Sequence, residues 1–190
     1  MKPEELLSVL HTANRLKDTT RHCWTPGNRH ESVADHSWRL ALTAFFLRDE
    51  FPETDMDKVI KMCLIHDLGE CFTGDIPSFL KTDADTAKED ALLIQWVGTL
   101  PQPYRTEMAA LYAEMDALET PEARLYKALD KLEAVIQHNE SPISTWEPHE
   151  YDLNLTYADD IVAFSPYLRS LREAIRDDTK QKIADAQKTE

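Results

Sequence analysis

Apolar residues recur at spacings of three and four along most of the chain, the pattern of helices that each bury one face. Pro3 opens a first helix whose stripe is Leu6, Leu7, Leu10 and Leu16. Residues 17–31 are polar, contain Gly27 and break the period, so a loop is expected there. Ser32, with Asp35 three residues on, caps a second helix in which Val33, His36, Leu40, Ala44 and Leu47 repeat as far as Phe51-Pro52. A third helix is expected over residues 55–71, on Val59, Met62, Cys63, Ile65 and Leu68, stopped by Thr73-Gly74 and Pro77. A fourth runs over residues 83–100 with Ala87, Ala91, Ile94 and Val97 as its apolar positions, and Pro101 and Pro103 end it. Tyr104, Met108, Leu111, Met115 and Leu118 mark a fifth. Thr120-Pro121 caps and opens a sixth, reaching His138 on Leu125, Leu129, Leu132 and Ile136. Residues 139–155 read as a loop, Ser165-Pro166 starts a last helix through Leu168, Leu171 and Ile175, and the charged tail from Asp177 is expected to fray.

Four glycines in 190 residues are too few for a protein built on tight turns, so composition agrees with the periodicity: an all-α chain, long enough for one domain with a full core. Gly27, Gly69, Gly74 and Gly98 cannot form a phosphate-cradling glycine loop. The net charge of −14, from 35 acidic and 21 basic residues, argues against a nucleic-acid polymer as partner, because a duplex needs a basic stripe to replace its counterions. A small phosphorylated ligand is still admissible where a metal and an arginine invert the potential locally. The first residues lack the apolar core of a secretory leader, and no apolar run approaches the roughly 18 residues that span a bilayer, so a cytoplasmic protein without a membrane partner is expected. Cys23, Cys63 and Cys71 are odd in number and lack zinc-ribbon spacing, and read as reduced thiols.

The candidate chemistry begins at His66-Asp67, two ligand-type side chains inside the apolar run of the third helix. A buried carboxylate beside a buried imidazole costs several kcal/mol unless each is paired or coordinated. His36 shares the inward stripe of the second helix and Asp130 lies within the sixth, so three helices offer two imidazoles and two carboxylates to one interior. Four such ligands around an octahedral ion leave two positions open, one for water and one for a phosphoryl oxygen. That suits Mn, Co, Fe or Mg better than a closed structural zinc.

Four stretches carry a family likeness: Arg21-His22-Cys23-Trp24; Glu31-Ser32-Val33-Ala34-Asp35-His36-Ser37; His66-Asp67-Leu68-Gly69-Glu70 with Gly74-Asp75; and Leu129-Asp130-Lys131. In this order, in an all-α chain of this size, they resemble the HD superfamily of metal-dependent phosphohydrolases, most closely its YfbR-like 5′-nucleotidase branch. The resemblance implies a single-domain helical bundle of the HD type over residues 1–190, one divalent metal ion on His36, His66, Asp67 and Asp130, and Glu70 and Asp75 as an acid-base pair of open polarity. Glu70, four residues after His66, would stand on the same helix face. Arg21 is the phosphate anchor, since a guanidinium binds two phosphoryl oxygens at once. Trp24 would wall the sugar side, although in the branch the arginine and tryptophan adjoin, whereas here two residues separate them. A homodimer is compatible with the family. His11, His22, His30, His138 and His149 read as surface histidines. The function implied is release of phosphate from (deoxy)nucleoside 5′-monophosphates. Another small phosphate ester, a nucleotide di- or triphosphate, and nucleotide sensing without turnover are the alternatives.

Overall fold

The computed structural model describes residues 1–188 and is all-α apart from one two-stranded hairpin. In chain order the elements are α1 (Pro3–Ala13), β1 (Thr20–Trp24), β2 (His30–Ser32), α2 (Val33–Phe46), α3 (Met56–Ile65), α4 (Glu70–Thr73), α5 (Asp83–Gly98), α6 (Tyr104–Ala117), α7 (Pro121–Glu140), α8 (Glu150–Thr156) and α9 (Pro166–Gln187). Among the described residues no helix is long and apolar enough to cross a membrane.

Helix α7 is the axis of the molecule. It packs on α2, α3, α6, α9 and the hairpin, and its Leu125, Ala128, Leu129, Leu132 and Val135 join Leu40, Ala44, Val59, Met62 and Cys63 in the core. Its start is set by Thr120, whose hydroxyl accepts from the Ala123 amide, and by Pro121 in the first turn. Helix α2 starts on a full capping box: Ser32 accepts from the Asp35 amide at 3.1 Å, and the Asp35 carboxylate accepts from the Ser32 amide at 2.9 Å.

Six expectations need correction. The segment expected as a loop over residues 17–31 holds the antiparallel hairpin, and its β1 is tied to α7 by Gln137 Nε2 and Ser141 Oγ, both donating at 2.5 Å to the Trp24 carbonyl. The expected helix over residues 55–71 stops at Ile65: bonds from Leu68 N to Ile65 O, Glu70 N to Asp67 O and Cys71 N to Leu68 O tighten the chain before α4. Leu6, Leu7 and Leu10 are exposed, while Leu16 packs beneath Val33 and Cys71. In α5 the buried stripe is Leu93 and Val97, with Ile94 outside, because α6 and α4 cover only that side. The loop expected over residues 139–155 contains the start of α8, and the tail expected to fray from Asp177 continues as helix to Gln187.

The last two corrections share a cause, since α8 and α9 are bolted together. Arg172, 1% exposed, donates from Nε to Tyr157 O at 2.7 Å and from NH2 to Asn154 O at 3.0 Å, and pairs with Asp159 at 3.0 Å. Arg176 Nε adds a bond to Leu155 O at 2.8 Å. These are carbonyls that the end of a short helix leaves unpaired, so two arginines of α9 complete α8. Arg172→Met, which keeps the apolar stem, is expected to lower the stability of the protein by about 2–4 kcal/mol. Urea unfolding read by helical circular dichroism checks it, and an unchanged midpoint would remove Arg172 from that role.

Candidate metal centre

His36, His66, Asp67 and Asp130 arrive from α2, the tightened turn after α3, and α7, and their ligand atoms converge. His36 Nε2 and His66 Nε2 stand 3.2 Å apart. Asp130 Oδ1 lies 3.2 Å from the first and 3.6 Å from the second, and Asp67 Oδ2 lies 3.8 Å and 2.9 Å from them respectively. Ligands about 2.1 Å from an ion stand about 3.0 Å apart at neighbouring corners of an octahedron and about 3.4 Å apart in a tetrahedron, so this spacing fits a common cation.

The tautomers make the same point. His36 is wholly buried, and its Nδ1 faces the Glu133 carboxylate in a short contact, so Nδ1 carries the proton and donates. His66 Nδ1 faces the Cys63 carbonyl at 2.9 Å and must donate as well. Both Nε2 atoms are thereby turned, as acceptors, toward each other and toward two carboxylate oxygens. Four acceptors at this range need positive charge among them, supplied by a metal or by protons. Burial opposes charge on His66, but Asp67 and Asp130 raise its pKa to about 10. Asp67, although desolvated, is held down at about 2 by His66. Either way these atoms call for positive charge among them.

Around it lies a belt of charge. Glu133 accepts from Arg39 Nε at 2.6 Å as well as from His36, and Arg39 reaches Glu140. Lys127 Nζ donates to the outer oxygen of Asp130, Oδ2, at 2.8 Å. Arg21 comes no nearer than 3.4 Å to Glu31 and 3.5 Å to Glu133, so it is the least committed of these cations. Burial works against its charge, yet Glu133 and then Glu31 more than restore it. Glu31 is itself pushed up to about 7, by burial and by Glu133.

Glu70 opens α4 and is buried rather than solvated at a helix end, with Oε2 unpartnered. Desolvation first, then Asp67, Asp75 and Glu89, push its pKa up to about 9. A cation at the centre opposes that shift. Gly74 follows α4 at φ +78°, a conformation that favours glycine, and turns the chain so that Asp75 comes back toward Arg21 and Asp67. Asp75 is raised by desolvation against the pull of Arg21. Trp24 stacks on His30 with ring centroids 4.1 Å apart, and its carbonyl rather than its indole makes the contact with α7. Sequence reasoning missed Glu133, Glu31, Arg39 and Lys127. Glu133 had a visible cue, a carboxylate one turn after Asp130 inside an apolar stripe.

Two cavities adjoin the centre. One, of about 100 Å³, has Arg21, His22, Asp75, Phe79, His138, Glu150 and Asn154 in its wall. The other, of about 450 Å³, lies behind His66 between α5 and α6, with Leu93, Val97, Tyr112 and Met115 in its wall and Glu89, Asp90 and Asp116 as its acidic groups. Tyr112 donates to Ile65 O at 2.7 Å there, fixing the point at which α3 ends.

An all-α fold that turns two imidazoles and two carboxylates from three segments toward one another defines the class, a helical protein with a candidate metal site. The chain belongs to the HD domain family, whose profile matches residues 13–167. It is 31% identical over 139 residues to the human 5′-deoxynucleotidase HDDC2, covering 71% of this chain and 67% of that one. The Dictyostelium discoideum 5′-deoxynucleotidase HDDC2 is 36% identical over 144 residues, covering 69% and 74%. Among solved structures, a predicted metal-dependent phosphohydrolase from Magnetospirillum magnetotacticum superposes with a TM-score of 0.78 at 29% identity, covering 94% of this chain and 93% of that one.

Since Glu133 holds the His36 ring through Nδ1, Glu133→Gln is expected to weaken metal affinity by about 10- to 100-fold. Calorimetric titration of metal-stripped protein with Mn or Co checks this, and equal affinities would mean that the ring is held by packing alone.

Proposed function

We propose that the chain is a metal-dependent 5′-nucleotidase that releases phosphate from nucleoside 5′-monophosphates, deoxynucleotides among them. The observation that carries the reading is the convergence of four acceptor atoms beside an unpartnered buried carboxylate, Glu70, and a loosely paired guanidinium, Arg21. The names of the relatives, 5′-deoxynucleotidases in human and Dictyostelium, support the substrate class.

In this reading His36, His66, Asp67 and Asp130 hold one divalent ion, and two imidazoles with two carboxylates suit Mn, Co, Fe or Mg. When bound, such an ion polarises phosphoryl oxygens and makes a water nucleophile available near neutral pH. Arg21 takes two phosphoryl oxygens and sets the ester in line for attack. Asp75 shares a cavity wall with Arg21, whereas Glu70 does not, so we assign Asp75 to the leaving 5′-oxygen and Glu70 to the attacking water. Trp24, stacked on His30 at the end of the same strand as Arg21, would limit the sugar side from the rim. The exposed Leu6, Leu7 and Leu10 of α1 and Trp38, Phe45 and Phe46 of α2 support a homodimer. A cytoplasmic location, with no polymer or membrane partner, fits the acidic surface.

Phosphate release is measured on metal-stripped protein, resupplied with Mn, Co, Mg or Zn, over deoxy- and ribonucleoside 5′-monophosphates. Turnover is expected only with metal. Asp67→Ala should lose at least about 100-fold and Glu70→Gln about 10²- to 10⁴-fold in kcat. Full turnover by Asp67→Ala under every metal would refute the reading, and release of pyrophosphate from triphosphates instead would move it to a different substrate.

A further inference from the structure

Seven buried side-chain atoms among the described residues have no hydrogen-bond partner, and two of them, His22 Nε2 and Asn154 Nδ2, belong to residues in the wall of the same cavity. An unpaired buried polar group costs roughly 1–3 kcal/mol, and Asn154 Nδ2 has neither a hydrogen bond nor an ion pair, so it indicates something that completes it. Asn154 is 3% exposed; its backbone carbonyl accepts from Arg172, while its side-chain Nδ2 donates to nothing in the protein. His22 Nε2 lies 3.0 Å from Glu150 Oε1, but off the direction of a hydrogen bond. Glu150 is buried, stands 3.5 Å from His138 and is anchored at its other oxygen by the Glu147 amide at 2.7 Å. The polar end of the cavity is therefore rigid.

Opposite stands Phe79, half-exposed, its ring 5.7 Å edge-on from His22 and 4.9 Å from His149. Arg21 and Asp75 form the side nearest the metal centre. An ester whose phosphate lies on Arg21 thus has its organic part in a slot with one aromatic side, Phe79, and an unpaired amide on Asn154. About 100 Å³ is far below the roughly 300–1,000 Å³ of a cleft that swallows a whole drug-sized ligand, and suits one planar ring system. The larger cavity is a worse seat for an anion's remainder: Glu89, Asp90 and Asp116 face it, and its one arginine, Arg105, is committed to Leu100 O.

We infer that this slot seats the nucleobase, with Asn154 and His22 reading its hydrogen-bonding edge and Phe79 covering its face. The inference rests on the nucleotide reading above and assigns base discrimination to α8 and β1 rather than to the metal centre.

The test compares kcat/KM for the four deoxynucleoside 5′-monophosphates with that for 2-deoxyribose 5-phosphate, which lacks a base, in the metal-loaded protein. The wild type should favour at least one nucleotide over the base-free ester, and in Asn154→Ala that ratio should fall by about tenfold, through KM. Asn154→Asp, the same shape without the amide donor, should give the same fall. An unchanged ratio in both variants overturns the inference, as does a wild type that cleaves the base-free ester as well as the nucleotides. No phosphate release from any of these esters would instead refute the nucleotidase reading itself.

Discussion

Two imidazole nitrogens 3.2 Å apart, each forced to be an acceptor because its ring partner already donates, cannot rest in a protein core without positive charge between them. Nearly everything near the centre serves that constraint. Glu133 and the Cys63 carbonyl set the tautomers, Asp67 and Asp130 supply counter-charge, and Lys127 balances the outer oxygen of Asp130. Without a cation the same carboxylates draw a proton instead: Asp67 and Asp130 raise His66 to about 10 against the cost of its burial. The centre is therefore organised before any substrate arrives.

How the helices meet this demand is a matter of angles. Adjacent residues on a regular helix point about 100° apart, so His66 and Asp67 could not both face one ion from an unbroken α3. Tightening the chain after Ile65 brings them together, and Tyr112 holds the last helical carbonyl in place. Helix α7 works by the opposite means, with its period intact. Asp130, Glu133 and Gln137 stand at helical spacing and serve in turn the ion site, the His36 ring and the carbonyl of Trp24. One straight helix thus fixes the register between metal centre, phosphate-side strand and cavity.

Much of this was legible in the sequence, because inward positions on amphipathic helices form a one-dimensional pattern. His36 and His66 could be placed on inward stripes from spacing, whereas Asp67 and Asp130 joined them through the family likeness, and α2, α6, α7 and the start of α9 followed from period, caps and prolines. What periodicity cannot express was missed. The break at Ile65 leaves the apolar run uninterrupted through Leu68, and the hairpin at Thr20–Trp24 is held by Gln137 and Ser141, more than a hundred residues away. His22 and His138 read as surface histidines for the same reason: only the folded chain brings Glu150 between them and lowers His138 to about 4, chiefly by burial. The charged tail misled in the other direction: Thr179 within it is wholly buried and donates to Asn139 Oδ1 at 2.9 Å, and Arg172 and Arg176 just ahead of it bolt α9 to α8.

The net charge of −14 acquires a purpose once the cations are located. Arg39, Lys81 and Lys127 are each bound to a carboxylate within 2.8 Å, which leaves Arg21 as the loosely paired cation beside the candidate centre. A small anion is drawn to such a point by the local potential even when the protein as a whole repels it, because the attraction acts over a few ångströms and the repulsion is spread over the whole surface and screened by salt. Overall charge and local charge therefore do different work in this chain, and the second depends on which carboxylates have already taken a partner.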